Sequence, residues 1–204
     1  MSELKTALLV DWGGVLTTDL FASFRIFCEA NGVDADAIGT EFRKDPEAQA
    51  LLFDLECGRI DESEFEPHFA QLLGVPDEGL IDGLFGAVGP DDVMIEAVRA
   101  VRDAGIPTGL VSNSWGTRRY PDHLLDELFD GVVISGFEGI RKPAPEIYLL
   151  GAERTGVAPE SCVFVDDLQF NLEPAHELGM AAVHHRETTE TLVELERLLG
   201  IDLR

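Results

Sequence analysis

Positive charge is scarce in this chain. Its 204 residues hold 15 Lys and Arg against 39 Asp and Glu, a formal net charge of −24, and only Lys5, Lys44 and Lys142 are lysines. Such a field repels nucleic-acid backbones and anionic lipid, so neither nucleic acid nor a membrane is expected as a partner. The acidity reads first as a solvated surface, and a small anionic ligand would need positive charge concentrated locally. Cysteine is sparse too. Cys28, Cys57 and Cys162 are odd in number, lack metal-ligand spacing and sit in apolar or helical contexts, as expected of reduced, buried thiols. No apolar stretch is long enough to cross a bilayer, and the N-terminus shows neither a basic region nor a cleavage site, so a cytoplasmic setting is expected. There is no internal repeat and no low-complexity segment.

What is present is enough for a core. Apolar residues make up 45%, which suffices for one sizeable domain and a modest second module. The organising stretch lies at the start. The apolar run 7–10 reads as a buried strand and stops at Asp11-Trp12-Gly13-Gly14. The glycines permit a sharp turn whose N–H groups can converge on an anion. Asp11 then sits at the carboxyl end of a strand, where open α/β sheets place their ligands. Taken alone, Asp-x-Gly-Gly reads first as an ordinary turn.

Residues 17–89 read as helical. Thr17-Thr18 is the expected cap of a helix with Leu20, Phe24, Phe27 and Cys28 on one face, and Ser63 with Glu66 resembles a capping box. From Pro90 the pattern alternates, with helices expected over 93–104, 121–129, 145–155, 168–178 and at the C-terminus. Strands are expected over 106–111, 132–135, 161–165 and 180–184. That series predicts a parallel α/β sheet covered on both faces. The link between the first two strands is far longer than the ~30 residues of a simple crossover. The excess predicts a helical module, residues 17–89, inserted into a core formed by 1–16 and 90–204, where it would act as a lid over Asp11.

Three later segments carry chemistry. Ser112-Asn113 ends the second strand, where a hydroxyl and the next N–H can hold an anion's oxygens, although the pair alone is merely a turn. Lys142, in Gly139-Ile-Arg-Lys-Pro143, stands between the third strand and a helix and could neutralise both a carboxylate and a phosphate; a surface lysine before a proline turn is the competing explanation. Asp166-Asp167 ends the fourth strand. Two adjacent carboxylates there repel each other unless a cation or hydrogen bonds offset the cost, which is the logic of a hard-metal site. Capping of the next helix by Asp167 competes with it, and Gln169 and Asn171 could orient the loop. Arg118 and Arg119, in the loop after Ser112, read equally as substrate contacts or surface charge. His184-His185 are neighbours on a strand and point to opposite faces. His176 is expected partly exposed, and Lys44 solvated.

In this order, Asp11-x-Gly-Gly-Val, Ser112-Asn, Arg-Lys142-Pro and Val-Asp166-Asp167-x-x-x-Asn171 resemble the four motifs of the haloacid dehalogenase-like superfamily. The stretches RKPAPEIY, VFVDD, NLEPAHELGM and TLVELERLLGID are similar to the N-terminal phosphatase domain of soluble epoxide hydrolases and bacterial relatives. The resemblance implies a Rossmann-like sheet ordered 5-4-1-2-3 with a helical cap. It also implies a Mg²⁺-dependent phosphatase for a small phosphorylated substrate, with Asp11 as nucleophile through an aspartyl phosphate. Mg²⁺ would be held by Asp11, the Gly13 carbonyl, Asp166 and Asp167. Ser112, the Asn113 N–H, Lys142 and the N–H groups of Trp12 and Gly13 would hold the phosphate. The chain departs from that pattern in one place: phosphatases of this kind carry a second Asp, as proton donor, where Gly13 stands. Without it, turnover should depend steeply on leaving-group pKa unless Tyr120, Asp122 or His123 supplies the proton. The alternatives are a 2-haloacid dehalogenase, which tolerates Gly13 but leaves Asp166-Asp167 without a role, and a phosphonatase-like hydrolase, for which Lys44 would have to form an imine. A phosphate-binding protein with weakened catalysis is the non-enzymatic one.

Overall fold

A computed structural model describes residues 4–203. Four short apolar runs and a small-residue edge strand build a five-stranded parallel sheet from β1 (Ala7–Val10), β2 (Thr108–Ser112), β3 (Gly131–Ile134), β4 (Cys162–Asp166) and β5 (Ala181–His184), in the spatial order β3-β2-β1-β4-β5. This is the implied order read from the other edge. Side chains alternate across β1, so Leu8 and Val10 pack on one face and Ala7 and Leu9 on the other, each within its own apolar cluster. Both faces are covered, which is why the strands read as continuous apolar runs.

Between β1 and β2 run α1 (Leu20–Ala30), α2 (Ala37–Lys44), α3 (Pro46–Glu56), α4 (Glu62–Leu73), α5 (Leu80–Leu84) and α6 (Asp92–Asp103). The first five enclose a third apolar cluster that includes Phe24, Ile38, Leu55, Phe65, Phe69 and Leu84. The chain entering this helical insert pairs with the chain leaving it: Thr17 bridges Pro90, and the Thr18 N–H donates to the Gly89 carbonyl at 2.8 Å. The remaining helices are α7 (Asp122–Leu128), α8 (Ser135–Glu138), α9 (Pro145–Thr155), α10 (Gln169–Glu177) and α11 (Thr188–Leu199).

Two caps differ from the sequence reading. Asp19, not Thr17-Thr18, caps α1, its carboxylate accepting the Phe21 N–H, because Thr17 and Thr18 are held by the stem of the insert. The capping box of α4 is Asp61 with Glu64 rather than Ser63 with Glu66. Glu66 instead reaches across to accept the N–H of Ile81 at 2.9 Å. The first misreading chose a plausible cap one or two residues too early and the second two residues too late, since local preference cannot see a tertiary partner.

Register positions the site. Val10 is level with Val165, and the Asp11 N–H donates to the Val165 carbonyl at 2.9 Å. The next residues on the two neighbouring strands are therefore both aspartates.

Candidate active site

Asp11 and Asp166 emerge side by side at the carboxyl ends of β1 and β4, and Lys142 arrives from the loop after α8. The lysine is fully buried, with its Nζ 2.9 Å from Asp11 Oδ1 and 2.7 Å from Asp166 Oδ2. Burial opposes its charge, but the two carboxylates outweigh that cost and hold its pKa above the usual lysine value. The surface-lysine alternative is thereby excluded. The Trp12 N–H donates to Asp11 Oδ1 at 2.7 Å, so it orients the carboxylate, and Oδ2 is left without a donor among the described residues.

Asp166 is wholly buried and densely bonded. Beyond Lys142, its oxygens accept the Asn171 amide at 3.0 and 3.1 Å and the Leu168 N–H at 2.8 Å. Asn171 thus orients the loop as expected, whereas Gln169 is exposed. Asp167 does not cap α10, whose N-terminal residue Leu168 has no side-chain cap. It turns toward Asp11 instead. One oxygen from each of Asp11, Asp166 and Asp167 lies within 4.8 Å of the others, a group that could hold a metal ion. Burial lifts Asp11 to about 6, with Lys142 opposing, and lifts Asp167 to about 8, where Asp11 and Asp166 add repulsion. Three converging carboxylates form an oxygen donor set suited to a small hard cation, and such a charge would offset both the burial and the repulsion.

Gly14 makes this approach possible. Its φ is +69°, and a Cβ there would lie 2.5 Å from Asp167 Oδ2. Gly14→Ala is therefore expected to cost more than about 1 kcal/mol in chemical denaturation, by forcing a left-handed backbone on alanine and displacing Asp167. Gly13 has no such backbone constraint. The space beside it is taken by a side chain: a Cβ on Gly13 would meet Leu20 Cδ1 at 2.7 Å.

A cavity of about 430 Å³ opens between the sheet and the insert, lined by Asp11, Gly13, Asn113, Lys142 and Asp167 from the core and by Phe24, Phe42, Leu52 and Glu56 from the helices. Ser112 and Trp12 line an adjoining space of about 470 Å³ that shares Gly13, Leu20, Asn113 and Trp115 with it. The Ser112 hydroxyl lies 3.0 Å from the Tyr120 hydroxyl. Arg118 and Arg119 border that second space as ion-pair partners of the insert: Arg118 with Glu62, Arg119 with Asp82 at 2.8 Å. His184 faces the Asp167 carbonyl at 2.9 Å, and His185 is buried against Thr191, so the two histidines diverge. His176 and Lys44 are exposed. The three cysteines are free and buried.

Comparison with known proteins gives the family. The haloacid dehalogenase-like hydrolase model matches residues 5–179. The chain belongs to that family. Mouse bifunctional epoxide hydrolase 2 is 30% identical over 212 residues, covering 93% of this chain but only 38% of that protein. Fructose-1-phosphate phosphatase YqaB of Escherichia coli is 42% identical over 142 residues, covering 68% of this chain and 70% of that one. A HAD-like family hydrolase from Porphyromonas gingivalis superimposes with a TM-score of 0.72 at 24% identity, over 98% of this chain and all of that one. As a HAD-like hydrolase the chain is an enzyme whose relatives include phosphatases. Among the described residues, no helix is long and apolar enough to cross a membrane.

Sequence reading missed two residues of the cavity, Glu56 and Arg141. Arg141 Nη1 lies 2.6 Å from Glu56 Oε2, joining core and insert. A glutamate on the last turn of an amphipathic helix carries no local signal of burial. Only the packing of α3 against the core turns it inward.

Proposed function

We propose that this HAD-like hydrolase is a Mg²⁺-dependent phosphatase acting on a small phosphate ester in the cytoplasm, with residues 17–89 as the cap over its site. The observation that carries the reading is the buried Lys142 joining Asp11 to Asp166 while Asp167 converges on both. Asp11 attacks phosphorus through its free oxygen, and the organic oxygen leaves. Water then cleaves the aspartyl phosphate, releasing inorganic phosphate and regenerating Asp11. Lys142 holds the nucleophile in place and offers charge to the phosphoryl oxygens, with Ser112, the Asn113 N–H and the turn at Gly13 as further donors. Mg²⁺, held by Asp11, the Gly13 carbonyl, Asp166 and Asp167, would supply Lewis-acid charge to the transferring group. The apolar walls contributed by Phe24, Phe42 and Leu52 favour an ester whose organic part is itself largely apolar.

Attack on carbon, as in a dehalogenase, would leave the repulsion among three converging carboxylates, two of them buried, without a purpose. The deciding experiment is phosphate release from a panel of esters, with chloroacetate and phosphonoacetaldehyde included, in Mg²⁺ and in chelator. Phosphate release is expected only with the metal, and Asp166→Ala is expected to be inactive. Full turnover in chelator, or by Asp166→Ala, would exclude this mechanism and favour halide release.

A further inference from the structure

The phosphatase reading leaves one proton unassigned. A leaving alkoxide needs a donor, Gly13 has no side chain to provide it, and the methyl of Leu20 fills the space beside Gly13 where such a side chain would start. The loop residues considered from sequence do not fill the gap. Tyr120 is buried against Ser112 and Trp12, burial holds its pKa far above the usual tyrosine value, and Asp122 and His123 do not line the cavity.

A carboxyl reaches the cavity from the other side. Glu56 ends α3 in the insert, is 6% exposed, and lines the same cavity as Asp11 and Lys142. Three core segments hold it. The Ser135 hydroxyl donates to its backbone carbonyl at 2.5 Å, Arg141 pairs with its Oε2 at 2.6 Å, and the Asn113 amide approaches the same oxygen at 3.4 Å. The other amide bonds of Asn113 are to the backbone of Lys142, at 2.8 and 3.1 Å. Glu56 is thus fastened to the loop that carries the phosphate-binding candidates, as a group that must act at a defined point should be.

We infer that Glu56, supplied by the helical insert, is the general acid and base of this enzyme in place of the aspartate missing at position 13. The inference rests on the phosphatase reading. As Asp11 attacks phosphorus and the bond to the organic oxygen breaks, that oxygen takes the Glu56 carboxyl proton. Water then attacks the same phosphorus and gives a proton to the Glu56 carboxylate, the bond to Asp11 breaks, and both carboxyls return to their starting states. The environment suits both halves of this cycle. Burial raises Glu56 to about 7, against the opposing pull of Arg141 and Lys142 and with a push from Asp11, so acid and base forms are both accessible near neutrality. A purely structural ion pair between core and insert would also use Arg141 and Glu56, but it would not distinguish one leaving group from another.

That difference is the test. First-turnover release of the alcohol, which reports the departure step alone, is measured with Mg²⁺ for p-nitrophenyl phosphate and for a primary alkyl phosphate on the wild-type protein and on Glu56→Gln. The wild type should show a shallow dependence on leaving-group pKa, in place of the steep one expected from a chain with no acid. Glu56→Gln should slow first-turnover release of the alkyl alcohol by at least ~10²-fold, the worth of a positioned acid, while first-turnover release of nitrophenol, which departs without a proton, falls far less; hydrolysis of the aspartyl phosphate, which loses its base, slows for both esters alike. Both rates come from one preparation, so their ratio cancels any unfolded fraction. If Glu56→Gln yields no folded protein, Glu56→Asp carries the same test, because it withdraws the acid by one methylene while keeping its charge. An equal fall in first-turnover release for both esters, or no fall for either, would overturn the role of Glu56 and leave the phosphatase reading intact. A wild type that releases no phosphate from any ester would overturn both.

Discussion

Asp11→Asn is expected to lower phosphate release by more than ~10³-fold, because removal of a nucleophile generally leaves only the residual catalysis of the rest of the site. The amide has nearly the shape of the carboxylate, so the chain should still fold, and its oxygen can keep the Trp12 N–H bond seen at 2.7 Å. What it lacks is the anionic oxygen that forms the bond to phosphorus. Two measurements check this: steady-state phosphate release, and the intact mass of acid-quenched enzyme. The wild type should gain one phosphoryl group when hydrolysis of the intermediate is slow enough to trap it, and Asp11→Asn should gain none. A variant that kept a tenth of the wild-type rate would show that phosphate is transferred directly to water.

Lys142→Met is expected to have the second-largest effect, on stability as well as rate. The side chain is fully buried between Asp11 and Asp166, and an apolar replacement leaves both carboxylates without their cation. Breaking a buried pair in this way commonly costs about 3–5 kcal/mol, far more than an exposed pair. Turnover should fall by at least ~10²-fold, as loss of a preorganised charge beside the reacting group typically does. The signature that separates this from simple unfolding is the response to Mg²⁺. A divalent cation replaces part of the missing charge, so its stabilisation of Lys142→Met in thermal unfolding should exceed its stabilisation of the wild type. Near-normal kinetics in Lys142→Met would show that the lysine only fills space.

The sequence carried the site's frame because its signals are local. A strand buried on both faces must be an apolar run, and a chain that turns sharply at its end wants glycine. Asp11, Ser112 and Asp166 could therefore be placed at strand ends before any contact was known. Lys142 was balanced between a surface lysine and a charge partner, because its position before a proline turn fits both. Asp167 was read with Asp166 as a metal pair in preference to a helix cap, because adjacent carboxylates after a buried strand need an offsetting charge. Arg118 and Arg119 were balanced between substrate and solvent, and the structure pairs both with carboxylates of the insert.

By itself, then, the sequence determined the alternation of strands and helices, the presence of a helical excess between the first two strands, and the order of the four chemical segments. Each of these depends on residues within a few positions of one another. Only the tertiary structure decided that Asp167 turns toward Asp11, that Leu20 fills the space beside Gly13, and that Glu56 faces the cavity. Glu56 meets Asn113 across 57 residues of chain, and no local periodicity encodes such an encounter. It follows from how the insert docks on the sheet, where burying apolar surface on both sides leaves one glutamate enclosed with the reacting groups.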